Sequence, residues 1–227
     1  MLYAISQRNM KIDKGNRDAL ENNYVEYYEK FGIILLPIPN VSKNVDKYFK
    51  LDIKGIILTG GDDIHPSLYR GSAVDGNYSK ERDRTEIKLL KIAVSKNLPV
   101  LANCRGAQLM NVFFGGKLVQ NIKEKNADNH VAVSHNISVI DNNARKFFGK
   151  NDFTVNSYHN HGIDSASLSE KLVPFAVSND GFIEGFYHPR YPMVGILWHP
   201  EREGSDKGAD KKLIKALLNR ELFWKEK

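Results

Sequence analysis

Two apolar runs, KGIILTGG at 54–61 and LPVLAN at 98–103, enclose the segment that most constrains this fold. Between them, ERDRTEIKLLKIAVSKN at 81–97 sets Ile87, Leu90, Ala93 and Val94 on one helical face with charges opposite. A continuous apolar run is a strand buried on both faces. A strand–helix–strand succession of this length argues for a parallel sheet covered by helices.

The rest of the first half extends that pattern. LYAIS reads as a first strand, residues 16–31 as a helix ended near Gly32, and IILLP at 33–37 as a strand closed by Pro37 and Pro39. RGAQLMNVFFGG follows LPVLAN as a helix ended by Gly115 and Gly116. The second half changes character. Short strands are expected at 130–140, 153–159, 171–179, 181–189 and 192–200, with a hairpin signal, NDG, at 179–181. An amphipathic helix is expected at 210–225. Together these predict one α/β domain over 1–227, a three-layer sandwich whose mostly parallel central sheet carries added β-hairpins.

Composition bounds the function. Net charge is +6, but Lys dominates the basic residues and they are spread along the chain. No aromatic-interleaved basic stripe points to nucleic acid, so a modest preference for anionic substrates is all the charge supports. The start lacks the basic, apolar and small-residue succession of a signal peptide, and no run is apolar enough to span a bilayer. The one cysteine cannot form an internal disulfide, so a cytoplasmic protein without membrane partners is expected.

That cysteine, Cys104, stands where LPVLAN turns into a helix, followed by Arg105 and Gly106. A strand–turn–helix of this kind is the geometry of a nucleophile elbow. It lifts a side chain to the carboxyl end of the sheet, where the helix N-terminus favours thiolate. The Arg105 N–H would then point at a substrate carbonyl. A lone cysteine is more often buried packing, but such a residue belongs inside an element rather than at a sharp turn. His199 ends the apolar strand of GILWHPERE, and Glu201 lies two residues on, so in extended backbone the two share a face. A carboxylate there can hold an imidazole's tautomer. LTGGDD at 58–63 ends a third strand in two glycines whose N–H groups can approach a ligand closely. Alone, the histidine motif is a strand exit and the glycine pair a turn; the combination is far more specific.

The combination resembles the class I glutamine amidotransferase superfamily, in particular its γ-glutamyl hydrolase branch, which includes γ-glutamyl-γ-aminobutyrate and γ-glutamyl-CDP-amidate hydrolases. The resemblance covers nearly the whole chain, through GIILTGGDDIHPSLY, the ERDR segment with the elbow that follows it, VNSYHNHGI and IEGFYHPRYPMVGILWHPE. It implies a flavodoxin-like fold, Cys104 as nucleophile, His199 as base, Glu201 as its orienter, and the N–H groups of Gly61 and Arg105 as the oxyanion hole. It also implies that Gln108 helps hold a glutamyl group, that Ser157, Tyr158 and His159 contact its α-amino and α-carboxylate ends, and that Arg82 is an anionic anchor. Two departures stand out: Ala102 replaces the first glycine of the usual Gly-x-Cys-x-Gly elbow, and His161 stands where relatives often carry Gln.

The resemblance implies a cysteine-dependent hydrolase of γ-glutamyl amides working through a thioester, with a small-molecule substrate and no cofactor; a homodimer stays open. The alternative is a glutaminase subunit that passes ammonia to a separate synthetase. A binding protein that kept only the fold is a third reading, opposed by the intact Cys104, His199 and Glu201. No metal site is expected: His159 and His161 form a His-x-His pair without further ligands. His65, His130, His135 and His188 carry no motif and are expected at the surface or in loops.

Overall fold

The structure, a computed structural model, describes residues 1–41, 43–72, 76–125 and 129–224. Its chain order is β1 (Leu2–Ile5), β2 (Arg8–Ile12), β3 (Gly15–Ala19), α1 (Asn22–Glu29), β4 (Ile34–Pro37), β5 (Ile53–Leu58), α2 (Lys80–Lys96), β6 (Val100–Asn103) and α3 (Arg105–Phe113). It continues with β7 (Val131–Val139), α4 (Asn142–Phe148), β8 (Asp152–Tyr158), β9 (Val173–Ser178), β10 (Ile183–Tyr187), β11 (Met193–Ile196) and α5 (Lys207–Asn219).

Nine strands form one sheet in the order β4-β1-β5-β6-β11-β10-β9-β7-β8. From β4 to β11 the neighbours are parallel, and from β11 to β8 they are antiparallel. The hairpin strands therefore extend the parallel sheet rather than form a second one. Alternation along each strand feeds two cores. Tyr3, Ile5, Ile57, Leu101 and Ile196 pack with α1, α4 and α5 on one face, while Ala4, Ile56, Leu58, Ala102 and Leu197 pack with α2 and α3 on the other. This is the three-layer α/β sandwich that the sequence predicts.

Three expectations need correction. The helix expected over 16–31 is only Asn22–Glu29; Gly15–Ala19 pairs instead with Arg8–Ile12 in a separate two-stranded ribbon. The Asp18 carboxylate holds this ribbon in place by accepting from the side chain of Asn9 and from both the backbone and side chain of Asn40. Those tertiary bonds override a pattern that is polar on either period. Helix α4 is unanticipated; the Asp141 carboxylate caps it through the Ala144 N–H at 2.8 Å. The terminal helix starts earlier, where Asp206 accepts from the Gly208 and Ala209 N–H groups, and stops at left-handed Arg220, φ 58°. The NDG hairpin forms between β9 and β10, with Gly181 at φ 87°. No helix among the described residues is long and apolar enough to cross a membrane.

Candidate active site

Cys104 leaves β6 at φ 49° and ψ −108°, a left-handed conformation that L side chains rarely adopt. Two backbone bonds hold it there: the Cys104 N–H donates to Ile196 O at 2.7 Å, and the Cys104 carbonyl accepts from the Gln108 N–H at 3.0 Å, closing the first turn of α3. Gly106 is required by space. A Cβ there would lie 2.6 Å from the Leu58 carbonyl oxygen, so a side chain would force α3 off β5. Ala102, in place of the usual glycine, is fully buried in the α2–α3 core, so its methyl group is accommodated.

β11 brings the histidine to the thiol. It lies beside β6, with Ile196 opposite Asn103, and the chain beyond it carries His199 back over Cys104. His199 Nδ1 lies 2.6 Å from Glu201 Oε1, and the ring interacts electrostatically with the Cys104 sulfur. All three side chains are buried. Burial would lower the His199 pKa, but the charges of Glu201 and the sulfur outweigh it and raise the imidazole to about 10. Burial would likewise raise the thiol; the His199 charge, the nearby His159 and the Arg105 N–H together hold it below its ordinary value. For Glu201 too, burial is overcome, by His199, and the carboxyl is lowered. The directions of all three shifts favour a thiolate–imidazolium pair backed by a carboxylate.

Three further residues hold this triad, and motif reading assigned them no role. The Asn156 side chain accepts from the His199 N–H at 2.8 Å and donates to the carbonyls of His199 and Glu203, both at 2.8 Å, clamping the loop that carries the base. Tyr24 accepts from the Gly60 N–H at 3.0 Å and interacts electrostatically with Glu201. Asn103 donates to Glu201 Oε2 at 3.4 Å. Only the Asn156 position was marked beforehand, inside VNSYH.

The glycine pair abuts the triad: a Cβ on Gly60 would sit 2.4 Å from His199 Cε1. Gly61 has φ 128°, open only to a residue without a side chain. The edge of the Tyr158 ring meets His199, centroids 5.6 Å apart, and the Arg202 guanidinium covers the same ring. Gln108 donates to the His161 carbonyl at 2.7 Å, tying α3 to the segment after β8. His159 is buried within electrostatic reach of Cys104. Burial would lower its pKa, but the neighbouring Glu184 carboxylate raises it.

Two side chains expected to bind substrate are engaged within the protein instead. The Arg82 guanidinium is 1% exposed and is engaged by Glu86 and by the oxygens of Thr59 and Gly60, so it braces the glycine turn from behind instead of offering an anchor to an anion. The Ser157 hydroxyl donates to the His130 carbonyl at 2.8 Å, facing β7 and not Cys104. Two of the histidines expected outside the core are buried. His130 lies against His159 and Glu184, and the ring of His188 packs between Phe114 and Tyr191, with both centroids 4.6 Å away.

Residues 2–201 match the Peptidase C26 family. The chain belongs to this family. Among its relatives is the glutamine amidotransferase-like protein YvdE of Lactococcus lactis, 32% identical over 209 residues, with 87% of this chain and 86% of the relative covered. Another is the γ-glutamyl-CDP-amidate hydrolase of Campylobacter jejuni, 34% identical over 168 residues, covering 74% and 72%. The glutaminase domain of Trypanosoma brucei CTPS superposes with a TM-score of 0.70 at 13% identity, covering 96% of this chain and 94% of that one, which establishes the shared fold. As a Peptidase C26 member the protein is a hydrolase acting on amide bonds, with a class I glutamine amidotransferase fold.

Proposed function

We propose that the protein cleaves the γ-amide of a γ-glutamylated amine through a Cys104 thioester. The observation that carries this reading is the buried Cys104–His199–Glu201 chain at the carboxyl ends of β6 and β11. The thiolate attacks the γ-carbonyl carbon, and the C=O π pair moves onto oxygen. The N–H groups of Gly61 and Arg105 receive that oxyanion, each contributing roughly 3 kcal/mol to the transition state. Gly60 is not available for this, because Tyr24 engages its N–H. As the C–N bond breaks, His199 gives its proton to the departing amine. It then takes a proton from water, which attacks the thioester carbon, and glutamate leaves with Cys104 again a thiolate. Gln108, Tyr158 and His159 are the residues placed to frame the glutamyl group, and no cofactor is called on.

For the leaving amine we favour a γ-glutamyl-CDP-amidate over γ-glutamyl-γ-aminobutyrate. The relative from Campylobacter jejuni supports this, and so does a cleft of about 770 Å³ beside Glu201 and Tyr158. Lys30, Lys207, Lys211 and the Tyr27 ring line that cleft together with Glu26 and Glu203, so it offers cations and a stacking face among carboxylates.

The test is glutamate release from γ-glutamyl-CDP-amidate, γ-glutamyl-γ-aminobutyrate and glutamine. The expected result is turnover of the amidate, lost by a factor of roughly 10⁴ or more in Cys104→Ala. Turnover of glutamine alone would replace this reading with a glutaminase subunit that serves a synthetase. Silence on all three substrates would overturn it.

A further inference from the structure

Glu184 of β10 is fully buried, and three imidazoles surround it. Its Oε1 lies 3.5 Å from His130 Nδ1, 3.5 Å from His159 Nε2 and 3.8 Å from His135 Nε2. Neither Glu184 oxygen has a hydrogen-bond partner, and neither does His135 Nε2 or His159 Nε2. The far sides of the rings explain the conflict. His130 Nε2 lies 3.0 Å from Asp180 Oδ2, and His159 Nδ1 lies 3.1 Å from the His161 carbonyl oxygen. Both of those neighbours are acceptors, so these two nitrogens carry the ring hydrogens. In neutral imidazoles, His130 Nδ1 and His159 Nε2 then present lone pairs to a carboxylate that presents lone pairs in return. Ser157, the hydroxyl closest to His130 Nδ1 at 3.4 Å, donates elsewhere, to the His130 carbonyl. Buried acceptors facing one another with no donor between them are costly, and a cation at their centre removes the cost.

We infer that His130, His159 and Glu184 form a binding site for one divalent transition metal of the zinc type, with His135 closing on the ion as the fourth ligand. The separations favour this over direct pairing. Charge-assisted hydrogen bonds run at about 2.7–2.9 Å, well short of those found here. Ligands at about 2.1 Å around a tetrahedral ion stand roughly 3.4 Å apart, close to the two 3.5 Å separations of Glu184 from His130 and His159. An imidazole-rich set with one carboxylate selects zinc, cobalt, nickel or copper over magnesium or calcium. The outer contacts fit as well, since a ligating histidine ordinarily donates its second ring N–H to a carboxylate or a carbonyl, as His130 and His159 do. His135, with 16% of its side chain exposed, offers the way in. The metal would tie the ends of β7 and β8 to β10 across the intervening β9, beside the Cys104 pocket. The inference rests on this geometry and is independent of the hydrolase reading.

The test is metal content of the full-length protein, followed by Co²⁺ titration after chelation, read from the visible bands of tetrahedral cobalt. Because Cys104 with His199 could itself capture a soft metal, the titration is repeated in Cys104→Ala. One equivalent bound in both proteins, and affinity reduced at least roughly tenfold in Glu184→Gln and in His135→Ala, is the expected result. Circular dichroism of the metal-free variants shows whether they fold, and the part-exposed His135 gives a readable variant if Glu184→Gln does not. Absence of Co²⁺ uptake would overturn the inference and leave a proton as the cation, with His159 an imidazolium. Uptake that Cys104→Ala abolishes and Glu184→Gln leaves intact would overturn it too, by placing the metal on the thiol.

Discussion

On the α2 side of Cys104, Glu86 accepts from both Arg82 and Arg105, and Arg105 also reaches Asp83 at 2.5 Å. On the β10 side, Glu184 is as deeply buried but has only imidazole nitrogens around it, beyond hydrogen-bond distance. The first cluster joins two guanidiniums, which stay charged at any pH the protein meets, to two carboxylates within direct contact. Its charges are matched by direct contact, although Arg82 Nη1 and Arg105 Nε find no acceptor, and its outer bonds, from Arg82 to the Thr59 and Gly60 carbonyls, fix the glycine turn against the triad. The second cluster is complete only with an added cation. One cluster is scaffold; the other is a site.

The widest separation is expected from paired isosteric variants. Glu86→Gln strips the shared anion from two buried guanidiniums and should cost about 3–5 kcal/mol in urea unfolding. Glu184→Gln in metal-free protein should stay within about 1 kcal/mol, since it removes a charge that has no donor. Equal losses would break the comparison. Next is Arg82→Lys, at about 2 kcal/mol by the same measurement, because one ammonium cannot replace a planar fork that reaches Glu86, Thr59 and Gly60 together. If activity survives that change while stability falls, Arg82 is confirmed as a brace. If substrate KM alone rises, the residue is an anion anchor after all.

The smallest effect concerns the pair between the clusters. The Cys104 pKa is lowered chiefly against burial by His199, so thiolate persists below the ordinary thiol range of about 8.5. Alkylation of Cys104 by iodoacetamide should therefore stay fast as pH falls through that value, and the midpoint should move up in His199→Ala. An unmoved midpoint would assign the shift to the helix N-terminus and His159 instead. Removing the Asn156 clamp should leave the alkylation midpoint nearly unchanged yet slow turnover about tenfold, since it moves the base without uncharging it.

Periodicity sufficed for the existence of the strands and helices from Ile53 to Phe113, because that stretch carries continuous apolar runs, but not for the face of α2: Arg82, Asp83 and Glu86 are buried with Leu89, Leu90 and Ala93, while Ile87 and Val94 are only partly buried. It failed at residues 8–19. The ribbon there is polar throughout and is held by Asp18 contacts to Asn9 and Asn40, which local pattern cannot register.

The site divides in the same way. The sequence by itself determined the elbow, because a thiol between a buried strand and a glycine-bearing helix start has one geometry. It also pointed to the His199–Glu201 pairing, but β11 ends at Ile196 and a turn closed by the Arg202 N–H on the His199 carbonyl at 3.1 Å, not extended chain, brings the carboxylate to the ring. Only the tertiary structure decided what surrounds them. Arg82 turned inward because Glu86 lies one helical turn away and the 59–60 carbonyls lie above it, and Ser157 turned toward β7. Glu184 met His130, His135 and His159 because three segments 54 residues apart at their extremes converge across one sheet, and convergence through strand order leaves no spacing for a reader of the chain to find.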